Sequence, residues 1–190
     1  MKFVLASNSP RRHELIHYLE IEFKVDASDI EEVIDESLSN EDIVMSLAFQ
    51  KAYDVSKRHK DEYVLGFDTL VILDGKPIGK PNNRDEAFAM LRALSGRKHT
   101  VLTGVAIVKD DFKDLFYDHA EVIFNEMTDQ EINEYLNTGE PFDKAGAYGI
   151  QGYGAKYIRY IKGDYYSVMG MPIQKLYNKV PMLPLVPLPA

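Results

Sequence analysis

The chain contains no cysteine among its 190 residues. This absence excludes disulfide bonds, a thiol nucleophile and any metal site built on thiolates, and it fits the reducing cytosol. No apolar run approaches the roughly 18 residues that a membrane-spanning helix needs. The apolar stretch after Lys2 is also too short for a signal peptide. We therefore expect a cytoplasmic protein without a membrane partner.

The common nucleotide-binding motifs are missing as well. Neither G-x-x-x-x-G-K-[ST] nor G-x-G-x-x-G occurs, and the glycine-rich residues 149–154 lack that spacing. His13 and His17 are four residues apart, but without a third ligand we expect surface positions. The formal net charge is −8, from 22 basic and 30 acidic residues. Such a surface repels nucleic acid, so we expect no nucleic-acid partner, and a nucleotide site would need its own basic lining.

The order of apolar segments predicts an α/β protein. Helices alternate with strands early in the chain, and two long strands follow each other at Thr100–Val108 and Leu115–Phe124. This pattern favours a mixed twisted sheet with flanking helices, arranged in two lobes. We expect a single domain over residues 1–180. The four prolines of residues 181–190 prevent regular helix or strand and predict an extended tail. This tail either docks on a neighbour through its leucines or does not belong to the domain.

The start of the chain joins an apolar strand to a segment that suits an anion. Residues 2–6 are followed by Ser7-Asn8-Ser9-Pro10-Arg11-Arg12. Pro10 fits the first position of a helix, and Ser9 before it is the predicted N-cap. Hydroxyls, free N–H groups and guanidinium forks then converge, which favours a phosphate site. The alternative is an ordinary helix start with surface arginines.

An acidic stretch lies between the second strand and the second helix. It runs from Asp26 to Glu36, and the helix is predicted over Asn40–Arg58 with Ser39 as its N-cap. Within it, Glu31 and Glu32 form the best-placed pair for Mg²⁺ or Mn²⁺, which prefer oxygen ligands. The alternative is a solvated loop.

A carboxylate interrupts the third apolar strand. Asp68 lies within the run Tyr63–Leu73, where burial is costly unless the group is paired, hydrogen-bonded or metal-bound. Thr69 adds a second polar group at the same place, which favours a functional site over a bulge or a structural hydrogen bond. Lys51 lies on the second helix, and Lys80 follows the hairpin whose turn is predicted at Asp74-Gly75. A lone lysine is usually solvent-facing, so these two support a functional site only together with the motifs above.

Together these segments resemble the Maf family of nucleoside triphosphate pyrophosphatases. The matching motifs occur in the family's order and span residues 2–180, without the proline-rich tail. They are Leu5-Ala6-Ser7-Asn8-Ser9-Pro10-Arg11-Arg12, Glu31-Glu32, Gln50-Lys51-Ala52, Gly66-Phe67-Asp68-Thr69, Gly79-Lys80-Pro81, Leu94-Ser95-Gly96-Arg97 and Asp143-Lys144-Ala145-Gly146-Ala147-Tyr148-Gly149-Ile150-Gln151-Gly152.

The resemblance implies hydrolysis of a nucleoside triphosphate to the monophosphate and pyrophosphate with a divalent cation, Mg²⁺ or Mn²⁺. It also implies a fold similar to the inosine triphosphatases, with two lobes around a nucleotide-binding cleft. Arg11, Thr69 and Gln151 match the subgroup that acts on dTTP and UTP, and they would read the base of these or of modified pyrimidine nucleotides. A sister subgroup acting on 7-methyl-GTP has an aromatic residue after Ser-Pro and Asp-Gln in the strand. One departure is Phe67, where a small residue is usual.

The same resemblance implies roles for the charged residues. Glu32 and Asp68 would hold the metal ion, and Asp68 would accept the proton of the attacking water, with Glu32 as the alternative base. The side chains that would bind the triphosphate are Ser7, Arg12, Lys51 and Lys80.

Two other classes of function are alternatives to this enzymatic activity. The family has been linked with arrest of cell division, so a non-enzymatic nucleotide-binding regulator of septum formation is the alternative. A nucleic-acid-binding module is the weaker rival because of the negative net charge. A homodimer is implied only at the level of the family.

Overall fold

The computed structural model describes residues 1–182, and this part of the chain forms seven strands and six α-helices. The strands are β1 (Phe3–Leu5), β2 (Phe23–Val25), β3 (Tyr63–Leu73), β4 (Lys76–Ile78), β5 (Lys98–Lys109), β6 (Phe112–Phe124) and β7 (Ile158–Gly163). The helices are α1 (Pro10–Ile16), α2 (Asn40–Ser56), α3 (Arg84–Leu94), α4 (Asp129–Asn137), α5 (Tyr165–Met169) and α6 (Ile173–Lys179). Short 3-10 turns occupy His17–Leu19, Glu140–Asp143, Ala145–Ala147, Gly152–Tyr157 and Val180–Met182.

All seven strands belong to one mixed sheet. Its order is β2-β1-β3-β5-β6-β7, with β4 paired to β3. Strand β1 runs parallel to β2 and β3, and Val4 is the register partner of Val64. Strands β4 and β7 pair antiparallel with β3 and β6, as in the register of Val71 with Ile78. The predicted α/β class with a mixed sheet and flanking helices is confirmed.

The chain divides into two compact units. The first contains Met1–Asp68, Thr103–Asp118 and the described residues from Gly170 onward, and the second contains Thr69–Leu102 and His119–Met169. The boundary in β3 therefore falls between Asp68 and its neighbour Thr69. The single domain over residues 1–180 stays a prediction. Of the predicted tail, residues 181–182 lie in the last 3-10 turn, and residues 183–190 lie outside the described residues.

The first unit packs α2 directly onto its strands. Side chains no more than 2% exposed form the core, and most of them are small: Val4, Ala6, Ala48, Ala52, Val55, Val64, Ala106 and Val108. Two glycines of the sheet allow the helix backbone to approach closely. A Cβ on Gly66 would lie 2.3 Å from the Ala48 carbonyl oxygen, and one on Gly104 would lie 2.3 Å from that of Val44. This contact fixes the helix that carries Lys51 against β3.

The second unit packs α3 and α4 against its own strands. Leu91, Leu94, Ile132 and Leu136 are no more than 2% exposed, in line with the apolar spacing of both helices. The spacing of Thr128 and Glu131 predicts a capping box at the start of α4. The structure confirms it, because Thr128 accepts from the Glu131 N–H and Glu131 accepts from the Thr128 N–H.

Helix starts elsewhere follow local sequence as well. Ser39 caps α2 by accepting from the Asp42 N–H at 3.1 Å, as predicted. Helix α5 is not anticipated by the apolar pattern, which predicts only a turn at Gly163-Asp164.

Within residues 1–182, none of the helices combines the length and the apolar character that crossing a membrane requires.

Candidate active site

The turn between β1 and α1 is organised by a buried serine. Its backbone continues the parallel pairing, because the Ala6 N–H donates to the Leu65 carbonyl at 2.9 Å. The Ser7 hydroxyl then accepts from the Ser9 N–H at 3.2 Å and from Arg12 Nη1 at 3.3 Å. Ser9 occupies the predicted N-cap position of α1, before Pro10, but its side chain makes no capping hydrogen bond. Ser7 is the residue that shapes this turn.

The guanidinium of Arg12 is held from several sides. Besides its bond to Ser7, Nε donates to the Gly170 carbonyl at 2.8 Å, and the group lies 5.5 Å from the centroid of the Phe67 ring. Burial lowers the pKa of Arg12 to about 10, partly offset by Asp68, so the side chain stays charged at neutral pH. Phe67, where the family usually has a small residue, thus contributes a cation–π contact to the fixed Arg12 guanidinium.

His13 belongs to the same turn, although the sequence predicted a surface position. It is half-buried, and its Nε2 lies 2.7 Å from the Ser7 carbonyl oxygen. A carbonyl oxygen can only accept, so Nε2 carries the proton in this contact. His13 therefore fixes the backbone of Ser7, a role that no motif in the sequence indicates. His17 is exposed, as expected.

Two of the predicted carboxylates converge on one lysine. Nζ of Lys51 lies 2.5 Å from Asp68 Oδ1 and 2.9 Å from Glu32 Oε1. The side chain of Asp68 is 13% exposed and that of Glu32 is 40% exposed, so the group runs from the protein interior to solvent. The structure thereby brings together residues from the acidic stretch, α2 and β3. Glu31, the residue before Glu32, is exposed.

Burial and neighbouring charges act on the pKa of Asp68 in opposite directions. Burial raises the pKa of Asp68, while the charges of Lys51 and Arg12 oppose the rise. A carboxylate whose pKa is raised toward neutrality is a better proton acceptor in catalysis than one at its ordinary value. The environment of Asp68 therefore suits a general base.

The acidic stretch is anchored to α2 and to the residues just beyond it. Asp26 accepts hydrogen bonds from Arg58 and His59, and these bonds lower the pKa of Asp26 to about 2. Ser28 donates to Asp54 at 2.9 Å. Since the base of the stretch is tied to this helix end, Glu32 is not carried by a freely solvated loop.

Gln50 provides the anchor nearest to Glu32. Its Oε1 accepts from the Val33 N–H at 2.9 Å, and its Nε2 donates to the Val33 carbonyl at 2.8 Å. Gln50 precedes Lys51 on α2, and Val33 follows Glu32, so the two bonds lock the neighbours of the ion pair together. Sequence reasoning noted Gln50 only as part of a motif and missed this role.

The donor set is compatible with a divalent cation. Among residues 1–182, no group of three or more His, Asp or Glu side chains is arranged to hold a metal ion. Mg²⁺ in phosphate-transfer sites is nevertheless bound by one or two carboxylates, with phosphate oxygens and water completing the shell. Glu32 and Asp68 fit that requirement, since both already direct oxygens at the single cation Lys51.

The remaining predicted residues belong to the second unit. Thr69 is half-buried in β3, Lys80 is exposed after β4, and Gln151 is half-exposed before the 3-10 turn at Gly152–Tyr157. The motif around Lys80 is joined to the glycine-rich block, because the Gly79 carbonyl accepts from the Gly146 N–H at 3.0 Å. The first unit holds the other predicted site residues, which are Ser7, Arg11, Arg12, Glu32, Lys51 and Asp68.

The fold and the first unit's site define an α/β protein with fixed cations and convergent carboxylates, a combination suited to a phosphorylated ligand. The family model described as "Maf-like protein" matches residues 2–182. The chain therefore belongs to the Maf family, as its motifs predicted.

Curated relatives support this assignment. A protein of Bacillus cereus named dTTP/UTP pyrophosphatase is 49% identical over 179 residues, which cover 94% of each chain. A protein of Bacillus cytotoxicus with the same name is also 49% identical with the same coverage. Among solved structures, the Ham1 protein of Staphylococcus aureus aligns with a TM-score of 0.50 and 16% identity, covering 84% of this chain and 81% of its own. This last likeness concerns the fold alone.

Proposed function

We propose that the protein hydrolyses dTTP and UTP, and modified pyrimidine nucleotides, to the monophosphate and pyrophosphate. The observation that carries the proposal is the group of Lys51, Asp68 and Glu32, in a chain 49% identical to a protein named dTTP/UTP pyrophosphatase. Such an enzyme would remove non-standard nucleotides and affect cell division. We place it in the cytoplasm, as a homodimer without a nucleic-acid partner.

The proposed reaction is attack of water on the α-phosphorus. The new bond joins the water oxygen to this phosphorus, the bond to the pyrophosphate oxygen breaks, and the pyrophosphate leaves with the bonding electrons. Asp68 accepts the proton of the water, since its buried carboxylate has a raised pKa. Glu32 is the second candidate for this base.

The triphosphate needs positive charge around it. Arg12 is already fixed by Ser7 and the Gly170 carbonyl, so little side-chain entropy is lost when it binds an anion. Lys51 and Lys80 supply further cations, and the Ser7 hydroxyl supplies a hydrogen bond. When bound by Glu32 and Asp68, Mg²⁺ or Mn²⁺ would neutralise developing phosphate charge.

Base selection is assigned to Arg11, Thr69 and Gln151. This part of the proposal rests on their positions in the family motifs of the subgroup that acts on dTTP and UTP. An arginine, a hydroxyl and an amide together offer donors and acceptors that complement the edge of a pyrimidine. A purine would leave some of these groups unpaired, which is the physical source of discrimination.

The proposal is tested by pyrophosphate release from a panel of nucleoside triphosphates, with Mg²⁺, with Mn²⁺ and with a chelator. We expect metal-dependent release from dTTP and UTP far above that from GTP and ATP. Lys51→Gln should abolish it, whereas Lys57→Gln, which changes an exposed lysine at the end of the same helix, should not. Tight binding of dTTP without release would contradict the proposal and favour the nucleotide-binding regulator.

A further inference from the structure

A single carboxylate in the second unit gathers one loop around itself. Oε1 of Glu140 accepts from Tyr135 Oη at 2.7 Å and from the Gly154 N–H at 3.0 Å, and Oε2 accepts from the Tyr153 N–H at 2.8 Å. Glu140 begins the 3-10 turn that follows α4. A carboxylate that accepts backbone N–H groups on both oxygens holds that backbone in one conformation.

Tyr135 extends this arrangement to the other end of the loop. Its side chain is 1% exposed, and its Oη accepts from the Gly149 N–H at 3.0 Å while it donates to Glu140. Burial raises the pKa of Tyr135, so the phenol keeps the proton that it donates. We call Tyr135 and Glu140 the Glu140 clamp.

The glycines of the loop are explained by this clamp. A Cβ on Gly152 would lie 2.4 Å from Glu140 Oε2, and Gly152 has a φ of +84°. A Cβ on Gly154 would lie 2.6 Å from Tyr135 Oη, and one on Gly149 would lie 3.1 Å from Glu140 Oε1. The loop is therefore packed against the clamp without room for a side chain at Gly152 or Gly154, and tightly at Gly149.

The hydrogen bonds of the clamp are distinct from the capping and the apolar packing of α4, although the Tyr135 ring is itself part of the core. The helix begins with its capping box and packs through Ile132, Leu136 and the Tyr135 ring. Among residues 1–182, the side-chain oxygens of Glu140 bond the loop and the Tyr135 phenol. The held N–H groups lie on both sides of Gln151, which is itself half-exposed. Two fixed backbone anchors around one half-exposed amide are typical of a side chain whose orientation matters.

We propose that Tyr135 and Glu140 are positioning residues for nucleotide selectivity, which they set by fixing Gln151 through the loop at residues 149–154. This inference rests on the proposed function, in which Gln151 reads the base. Loosening the clamp lets the Gln151 amide adopt several orientations. Pyrimidine substrates then lose their advantage over purines, while the phosphate chemistry is retained.

Two variants loosen the clamp to different degrees. Glu140→Gln keeps one acceptor oxygen and loses the second, and Tyr135→Phe removes only the bridging hydroxyl. Glu134→Gln is the matched control, because Glu134 is an exposed carboxylate on the same helix that bonds Gln130. For each we would measure kcat and KM with UTP and GTP, together with the melting temperature. We expect the ratio of kcat/KM for UTP over GTP to fall roughly tenfold in both clamp variants, through KM, and to stay unchanged in the control.

A double variant separates positioning from a purely structural role. If the clamp acts through Gln151, Glu140→Gln combined with Gln151→Ala should have a UTP/GTP ratio within about twofold of Gln151→Ala alone. Independent, additive losses in the double variant would overturn the inference. So would clamp variants that fold and keep the wild-type ratio.

Failure of the proposed function gives a different result. In that case the wild-type protein releases no pyrophosphate from any nucleotide, and the clamp is judged by calorimetric binding of UTP and GTP instead. We expect the same loss of preference for UTP in Tyr135→Phe and Glu140→Gln. Unchanged relative affinities in these folded variants would overturn the inference by this route as well.

Discussion

The side chain of Gln50 makes two hydrogen bonds with the main chain of Val33. Gln50 Oε1 accepts from the Val33 N–H at 2.9 Å, and Gln50 Nε2 donates to the Val33 carbonyl at 2.8 Å. The pairing mimics a short stretch of β-ladder between a helix side chain and an otherwise irregular segment. It fixes Glu32, the residue before Val33, beside Lys51, the residue after Gln50. The most exposed carboxylate of the site thus depends on a side chain that never touches it.

We expect Gln50→Ala to lower pyrophosphate release without unfolding the protein. The substitution removes the two exposed hydrogen bonds to Val33 and a third, at 3.3 Å, to Ser46 Oγ. Each costs about 0.5–1.5 kcal/mol of stability, but their loss frees Glu32 to leave the Lys51 ammonium. The predicted signature is a raised requirement for Mg²⁺, measured as the metal concentration that gives half-maximal rate.

The control for this experiment is Gln174→Ala, which changes an exposed glutamine on α6. The role assigned to Gln50 would be wrong if both variants had the wild-type metal dependence while the Gln50 variant stayed folded.

Asp68→Asn should abolish turnover and leave the fold intact. The substitution removes the proton acceptor, and general-base catalysis contributes about 10²–10⁴-fold to rate. Because burial raises the pKa of Asp68, the folded protein holds its charged form at a cost, and a neutral amide relieves it. Lys51 keeps Glu32 as a partner at 2.9 Å. Steady-state rates and thermal unfolding at pH 7 test both halves; a folded, active Asp68→Asn protein would eliminate Asp68 as the base.

Gly66→Ala should destabilise the protein strongly although it adds one methyl group. The new Cβ would meet the Ala48 carbonyl oxygen at 2.3 Å and the Ala52 N at 2.9 Å, and these backbone atoms cannot move unless α2 moves. Overpacking of this kind costs about 1–3 kcal/mol or more. Denaturant unfolding measures the loss, with Gly79→Ala as the control because nothing lies within 4 Å of a Cβ there. Equal stability of the two variants would show that α2 does not depend on this contact.

Features that depend on residues close in sequence, such as helix caps, could be predicted from the sequence. Contacts that depend on tertiary packing could not. The Ser39 cap and the Thr128–Glu131 capping box involve residues three apart, and both are confirmed. Ser9 also occupies its predicted N-cap position, but without a capping hydrogen bond from its side chain. The Ser7 hydroxyl shapes this turn instead, by accepting from the Ser9 N–H and from Arg12.

The missed helix α5 had a local signal. Asp164 accepts from the Ser167 N–H at 2.8 Å, the spacing of an N-cap, but the preceding glycine favoured a turn. The partnership of Gln50 with Val33 had none, since 17 residues separate them and only the packing of α2 brings them together. The motif residues themselves could be found from sequence because their chemical types and order are specific.

Acid destabilisation should carry a signature of His99. Its side chain is 3% exposed, its Nε2 lies 2.7 Å from Tyr148 Oη, and among the described residues its Nδ1 has no hydrogen-bond partner. Burial lowers the pKa of His99 from 6.5 to about 4. Between these values the unfolded chain binds a proton that the folded chain rejects, so the free energy of unfolding falls as the pH drops. The stability that the neutral imidazole of His99 contributes is fully present above pH 6.5 and is lost as the pH falls to about 4. Over this interval the free energy of unfolding falls by about 3 kcal/mol.

His99→Gln tests this contribution, because glutamine can still bond Tyr148 Oη and does not titrate. We expect the variant to be less stable than wild type at pH 7.5, owing to imperfect packing, and to lose less stability between pH 6.5 and pH 4.5. Carboxylates titrate equally in both proteins, so the difference between the two slopes isolates the histidine. His17→Gln, at an exposed position, should follow the wild-type slope. Parallel curves for His99→Gln and wild type would mean that the buried imidazole is accommodated equally well in both protonation states.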